Sequence, residues 1–82
     1  MVIRIKKLDY DSIVRYCLDG LPNESCGLIA GFVDGDVKSI EKVYFLSYLD
    51  HNNRHFTMDP KEQFSAVKDA RSLGLTMIGK FH

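Results

Sequence analysis

The sequence predicts an α/β chain of the α+β kind, with a mixed sheet built around a central hairpin and flanked by two helices. Two observations favour this fold class. Four short stretches are apolar throughout or alternate apolar with polar residues, as strands do, and two stretches between them repeat apolar residues at helical spacing. A chain of 82 residues buries roughly 60% of its unfolded surface. We therefore expect a single domain over residues 1–82.

The first strand and the first helix follow from the start of the chain. Apolar and basic residues alternate over residues 3–6, which predicts a short edge strand. Asp9 or Asp11 is the expected N-cap of the helix, because a carboxylate there accepts free backbone N–H bonds. Gly20 and Pro22 are expected to end the helix. The apolar pairs expected on its buried face are Ile13 with Cys17 and Val14 with Leu18.

The central hairpin is predicted from an apolar run, a turn and a second strand. Residues 25–33 are nearly all apolar, which is typical of a buried central strand. The segment 34–36 reads Asp-Gly-Asp, and Gly35 adopts a positive φ at low cost, so a tight turn is expected there. Residues 37–46 then form the partner strand. The polar segment 48–56 is expected to be a surface loop.

The second helix has the clearest start signal in the chain. Asp59 is the expected N-cap, Pro60 fits the first helical position, and Glu62 is expected to reach back and complete a capping box. The apolar residues at helical spacing are Phe64, Val67 and Ala70. Gly74 is expected to close the helix, and residues 75–81 form the last strand. A crossover through this helix can bring the last strand parallel to the second hairpin strand.

Composition argues against several functional classes. Eleven basic residues balance eleven acidic ones, so neither nucleic acid nor an anionic membrane surface is an expected partner. The apolar runs are too short for a membrane-spanning helix, and residues 1–7 lack the apolar core of a signal peptide. Cys17 and Cys26 are therefore expected to be free thiols, and the protein is expected in the cytoplasm.

Three ordered segments resemble a known family. The chain reads PNESCGLIAG over residues 22–31, HFTMDPKEQF over 55–64 and GLTMIGKFH over 74–82. They resemble, in order, the Pro-x-Glu-x-Cys-Gly-Leu-Leu-x-Gly segment, the phenylalanine–methionine–Asp-Pro stretch, and the strand leading into the His-Ser-His-Pro motif of the JAMM metallopeptidases, also called the MPN-plus or JAB domain. The resemblance implies a truncated MPN/JAB-like (cytidine-deaminase-like) fold, with residues 1–82 as its N-terminal part.

The resemblance also implies a zinc hydrolase site. In that family both histidines of a His-x-His motif and a later aspartate bind Zn²⁺, a glutamate acts as general base, and a serine stabilises the oxyanion. Carried over by position, these roles fall on Glu24 as the catalytic base and on His82 as the first zinc ligand. The second histidine, the serine and the aspartate have no counterpart in the sequence. We therefore expect this chain alone to hold far less than one zinc and to lack peptidase activity.

The resemblance implies protein or peptide substrates, namely the C-terminal tails of ubiquitin-like or other proteins. A second hypothesis is a non-catalytic MPN-like scaffold or dimerisation module, because an uncovered sheet edge and uncovered helix faces favour self-association into a homo-oligomer. A third is a metal-free thiol hydrolase that pairs Cys26 with His82. A cysteine in an apolar strand is more often a small buried residue.

The other histidines carry less information. His51 and His55 are four residues apart, a spacing that aligns two metal ligands on a helix, but the polar residues between them indicate a loop. We expect both to be solvated. Gly27, Gly31 and Gly79 lie within predicted strands, where a glycine often marks a close backbone approach.

Overall fold

A mixed four-stranded sheet with two helices makes up the computed structural model, which describes residues 1–21, 25–47 and 58–81. The elements are β1 (Val2–Arg4), α1 (Lys7–Asp19), β2 (Cys26–Asp34), β3 (Val37–Leu46), α2 (Pro60–Ser72) and β4 (Thr76–Phe81). The strand order is β1-β3-β2-β4. The predicted fold class, with its central hairpin, is confirmed. Neither helix in the described part of the chain is long and apolar enough to cross a membrane.

Strand directions follow from the hairpin. β2 is antiparallel to both β3 and β4, while β1 is parallel to β3. β3 and β4 therefore run in the same direction on either side of β2, as the predicted crossover requires. β1 is the short edge strand expected from the sequence. Gly35, at φ +56°, lies in the turn between β2 and β3, which confirms the predicted hairpin.

The start of α1 differs from the prediction. The helix begins at Lys7, and its N-cap is Lys6, which makes no side-chain capping bond within the described residues. Asp9 lies in the first turn, where its charge favours the positive end of the helix dipole without capping it. The predicted cap at Asp9 or Asp11 is therefore wrong. The predicted end is confirmed, because Gly20 caps the helix and donates to the Tyr16 carbonyl at 3.1 Å.

Only part of the predicted apolar face of α1 is covered. Ile13 and Cys17 are half-buried, whereas Val14 and Leu18 are 39% and 60% exposed. Adjacent helix positions are about 100° apart, since one turn takes 3.6 residues. The two pairs therefore occupy neighbouring stripes, and the sheet covers the first. Tyr16 makes the main sheet contact, through its hydroxyl, which donates to the Leu46 carbonyl at 2.8 Å.

The core lies around β2 and on the inner face of α2. Its fully covered apolar residues are Cys26, Ala30, Ile40, Leu46, Ala66 and Ala70. The ladder of β2 shifts register against β3 between Ala30 and Gly31, and against β4 between Ile29 and Ala30. Both irregularities thus fall at one point of the strand. A side chain at Gly31 would run into the backbone carbonyl of Ser39, so the close approach expected at this glycine is confirmed.

The cap of α2 is half as predicted. The Asp59 carboxylate accepts a 2.9 Å bond from the Lys61 N–H, and Pro60 is the first helical residue. Glu62 does not complete a capping box, because its Oε2 accepts from the Ser47 N–H at 2.8 Å. The Asp59 N–H, which a capping box would use, donates to the Ser47 carbonyl at 3.0 Å. Glu62 therefore ties the helix to the end of β3.

The buried face of α2 is narrower than expected. Ala66 and Ala70 are buried and Val67 is half-buried, but Phe64 is 65% exposed. Small residues at the contact let the helix lie close to the sheet, which leaves the larger Phe64 ring outside. The helix ends at Ser72, and Gly74, at φ +75°, turns the chain into β4. The predicted end of this helix is confirmed.

Candidate functional site

The two residues expected to do chemistry, Glu24 and His82, lie outside the described residues, as do His51 and His55. Ser25, which follows Glu24 in the chain, and Phe81, which precedes His82, are described. The geometry of the candidate site is therefore given by the strand ends on which these neighbours lie.

The start of β2, the end of β3 and the end of β4 meet at one end of the sheet. Gly27 pairs with Phe81 across β2 and β4, and Cys26 pairs with Leu46 across β2 and β3. We call this the Cys26 end of the sheet and define it by Cys26, Leu46 and Phe81. The segments carrying the predicted base and the predicted metal ligand thus belong to adjacent strands and meet at the same end.

Phe81 is held at this end by aromatic contacts and by a glycine opposite. Its ring packs edge-on against Phe45 at a centroid distance of 6.2 Å, and Phe45 in turn lies 4.6 Å from the Tyr16 ring. Gly27 provides the space, because a Cβ there would collide with the Phe81 ring and with the Tyr44 carbonyl. The close approach expected at Gly27 is confirmed. Burial, followed by the nearby Cys26, Glu62 and Cys17, raises the pKa of Tyr16.

Cys26 is a packed core residue. Its side chain has no exposed surface, and its Sγ lies 3.4 Å from the Leu46 carbonyl oxygen, to which the thiol donates. A nucleophilic thiol has to be reachable by substrate and able to form a thiolate. The thiol-hydrolase hypothesis is therefore wrong for Cys26, and the interpretation of this residue as a small buried one is confirmed. Cys17 is half-buried, and both thiols are free.

An open groove lies beside this end of the sheet, between β3 and α2. Its volume is about 540 Å³, and its lining residues are Val43, Tyr44, Phe45, Leu46, Lys61, Glu62, Ser65, Ala66 and Asp69. Apolar pockets with a few polar groups are the usual form of ligand sites. The sequence analysis did not predict this groove.

A polar network crosses the groove. Oδ2 of Asp69 accepts both the Lys42 ammonium and the Tyr44 hydroxyl, each at 2.6 Å. The Lys42 bond, and then the Tyr44 bond, hold the pKa of Asp69 below its usual range. Burial, and then the bond to Asp69, raise the pKa of Tyr44 to about 12. Lys42 and Tyr44 are two residues apart on a strand, so they share a face. That spacing was the sequence signal for this network.

The described residues do not form a metal site. No group of three or more histidine, cysteine, aspartate or glutamate side chains that could hold a metal ion occurs within residues 1–21, 25–47 and 58–81. A zinc site needs three or four protein ligands. The described residues therefore do not fit a zinc ion by themselves.

Comparison with known proteins identifies the family. A family model described as prokaryotic homologues of the JAB domain matches residues 7–82. The solution structure of a protein from Desulfitobacterium hafniense is similar, with a TM-score of 0.83 and 44% identity, over 98% of this chain and 55% of that one. The present chain thus spans about half the length of that structure. No curated protein matches. The chain belongs to the prokaryotic homologues of the JAB domain.

Proposed function

We propose that the chain contributes to the catalytic site of a JAB-type zinc metallopeptidase or isopeptidase, with Glu24 as general base and His82 as a zinc ligand. The proposed substrates are proteins or peptides, with the C-terminal tails of ubiquitin-like proteins as the first class to test. The main support is the pairing of Gly27 with Phe81, which brings the β2 and β4 ends together.

Chain connectivity keeps both residues near this end. Glu24 precedes Cys26 by two residues, and His82 directly follows Phe81. Paired Cα atoms in antiparallel strands are about 4.5–5.5 Å apart, and consecutive Cα atoms about 3.8 Å. These dimensions allow a carboxylate and an imidazole carried on adjacent strand ends to approach a common water molecule.

The proposed chemistry of this chain is proton transfer. The Glu24 carboxylate would accept a proton from the attacking water and later deliver it to the nitrogen of the leaving amine. A zinc ion, when bound, lowers the pKa of a coordinated water towards neutrality. His82 would supply one ligand through a ring nitrogen. One imidazole does not make a zinc site, so the remaining ligands are not assigned to residues of the described chain.

A zinc titration followed by NMR of the histidine rings tests the metal role. We expect the His82 ring signals to respond first, with weak binding and far less than one zinc retained after dialysis. His82→Ala should abolish the response and His51→Ala should leave it unchanged. A response confined to His51 and His55 would contradict the assignment.

A chimera tests the catalytic role. In it, this chain replaces the matching part of the Desulfitobacterium hafniense protein, and the substrate is a ubiquitin-like protein with a C-terminal peptide extension. Glu24→Gln should reduce hydrolysis by about 10²–10⁴-fold while zinc content stays the same, and His82→Ala should reduce zinc content. Hydrolysis by a folded chimera that is unaffected by Glu24→Gln would rule out Glu24 as the base.

A second candidate is a non-catalytic interaction module, which the open stripe of α1 favours. Tyr10, Val14, Leu18 and Leu21 are 57%, 39%, 60% and 65% exposed on one side of the helix. Sedimentation of the wild-type chain and of Leu18→Glu tests this candidate: self-association that Leu18→Glu abolishes would support it. We also propose a cytoplasmic location, which the two free thiols support because a reducing compartment preserves them.

A further inference from the structure

We propose that the groove between β3 and α2 binds an extended peptide segment of another protein, as an added strand on the edge of β3. This inference goes beyond the proposed hydrolysis and does not depend on Glu24 or His82. Peptides added to an open sheet edge bind through main-chain hydrogen bonds, and pockets for alternate side chains give specificity.

The groove follows an open strand edge. β1 pairs only with Val37–Ser39 of β3, and within the described residues no strand pairs with residues 43–46 on that side. Four consecutive residues, Val43 to Leu46, line the groove. Successive side chains of a strand point to opposite faces, so a groove that touches all four residues runs along the edge of the strand and not over one face.

The backbone groups at this edge have a defined direction. Ser47 directs its N–H to Glu62 and its carbonyl to Asp59, both away from β2. The Leu46 carbonyl instead lies beside the Cys26 thiol on β2. The N–H and C=O of one strand residue point to the same side, and the side alternates along the strand. Phe45 and Val43 therefore present their N–H and C=O groups to the groove.

The groove is held open before any partner binds. The shared carboxylate of Asp69 bonds to Lys42 and Tyr44 at 2.6 Å and fixes α2 opposite β3 at one end of the groove. Glu62 makes the corresponding link to Ser47 at the other end, at 2.8 Å. A preformed site loses less conformational entropy when its ligand binds.

The charges of the groove define the peptide. Asp69 and Lys42 neutralise each other, and Glu62 is engaged by the Ser47 N–H. Among the described residues, the Lys61 ammonium has no ion-pair partner, and it lies at the positive N-terminus of α2. The complementary ligand is an extended segment with uncharged residues opposite Val43–Phe45 and an acidic residue that meets Lys61.

The probe is a random dodecapeptide library, selected against the full 82-residue chain. We expect selected peptides to carry an acidic residue beside a β-prone run and to shift the amide signals of Val43, Phe45 and Ser65 in NMR spectra. N-methylation of those peptide residues whose N–H faces β3 should weaken binding at least about tenfold, since it removes main-chain bonds. N-methylation at the alternate residues should have a much smaller effect.

A matched pair of variants tests the location. Ser65 is exposed and lines the groove, so Ser65→Trp should reduce peptide affinity at least about tenfold, while Ser72→Trp, at the far end of the same helix, should not. Dispersed amide spectra establish that both variants fold.

Four results would overturn the proposal. One is that the library yields no binder, and another is that the binders shift the amide signals of α1 instead of β3. The third is protection of the Val43 and Phe45 amides from hydrogen exchange in the free chain, which means that the chain fills its own groove. The fourth is a shift of those amide signals when the chain alone is concentrated, which identifies a second copy as the occupant.

Discussion

The Tyr44 hydroxyl donates a 2.6 Å hydrogen bond to Oδ2 of Asp69, the same carboxylate oxygen that accepts the Lys42 ammonium. One oxygen atom thus joins two side chains of β3 to α2. Asp69 accepts these bonds as a carboxylate and Tyr44 donates its bond as a neutral phenol. The contact between strand and helix therefore depends on two protonation states.

At alkaline pH we expect Tyr44 to limit stability. Its pKa rises from 10.0 to about 12 in the folded chain, so folding favours the neutral hydroxyl. The contribution is complete below pH 10 and is lost as pH rises through about 12. Tyr44→Phe should lower the free energy of unfolding at neutral pH by about 1 kcal/mol and remove this alkaline loss. Urea unfolding at several pH values measures both, with the exposed Tyr10→Phe as control. An unchanged alkaline profile would contradict the assignment.

At acid pH the expected effect has the opposite sign. Lys42 and Tyr44 lower the pKa of Asp69 below 3.8, so folding favours the carboxylate. This contribution is present above pH 3.8 and is lost as pH falls through the lower pKa of the folded state. Asp69→Asn should therefore flatten the acid limb of the stability curve. Asp11→Asn, an exposed carboxylate on α1, should leave that limb as it is in the wild type.

The cap of α2 should have a measurable effect. Asp59 accepts the Lys61 N–H at 2.9 Å, and replacing such a cap by alanine typically costs about 1 kcal/mol. We expect Asp59→Ala to reduce the free energy of unfolding by that amount in urea titrations. Asp36→Ala, which removes an exposed carboxylate from the hairpin turn, is the control. Equal effects of the two substitutions would show that charge, and not the cap, is responsible.

Two glycines in neighbouring strands should respond differently to alanine. A Cβ at Gly27 would overlap the Phe81 ring and the Tyr44 carbonyl, whereas a Cβ at Gly79 meets nothing within 4 Å in the described structure. Gly27→Ala should destabilise the chain by about 1–3 kcal/mol through overpacking. Gly79→Ala should change stability by less than about 0.5 kcal/mol. Thermal and urea unfolding of both variants provide the comparison, and a neutral Gly27→Ala would show that Phe81 can move aside.

The two cysteines should differ in alkylation rate. Cys26 has no exposed surface, while Cys17 is half-buried. Native chain treated with iodoacetamide should modify Cys17 first, and Cys26 should react only on unfolding, because a buried thiol is sheltered from reagents. Mass spectrometry of peptides from native and urea-unfolded samples measures both rates. Rapid native modification of Cys26 would reopen the thiol-hydrolase hypothesis.

Local sequence signals predicted the strands and the helix ends best. The Asp59-Pro60 start of α2, the Gly35 turn and the Gly74 helix end each depend on the conformation of one or two residues. The partners of side chains were harder to predict, because they depend on distant chain. Glu62 has the spacing of a capping box but bonds to Ser47, which lies fifteen residues earlier in the chain. That choice depends on where β3 ends, and local spacing contains no information about it.

The candidate site was predicted by motif and not by physics. Glu24 and His82 were singled out because their segments resemble a family, and their spacing alone is uninformative. The residues that surround the site are different in kind. Phe81 and Gly27 meet only because β2 and β4 pair in one register, and a single sequence does not reveal a strand pairing between segments more than fifty residues apart.

Ala30 marks a place where the sheet is keyed on both sides. The ladder with β3 slips just after it and the ladder with β4 slips just before it. Irregularities of this kind pin the alignment of strands, whereas a slip of one residue in a regular ladder would turn every side chain to the opposite face. Four residues separate Ala30 from Cys26, and four separate Met77 from Phe81. This double key therefore acts as a ruler: it fixes how many residues each strand has left before its end. Lengthening either strand by one residue within that span would leave the fold recognisable and shift one strand end out of step with the other.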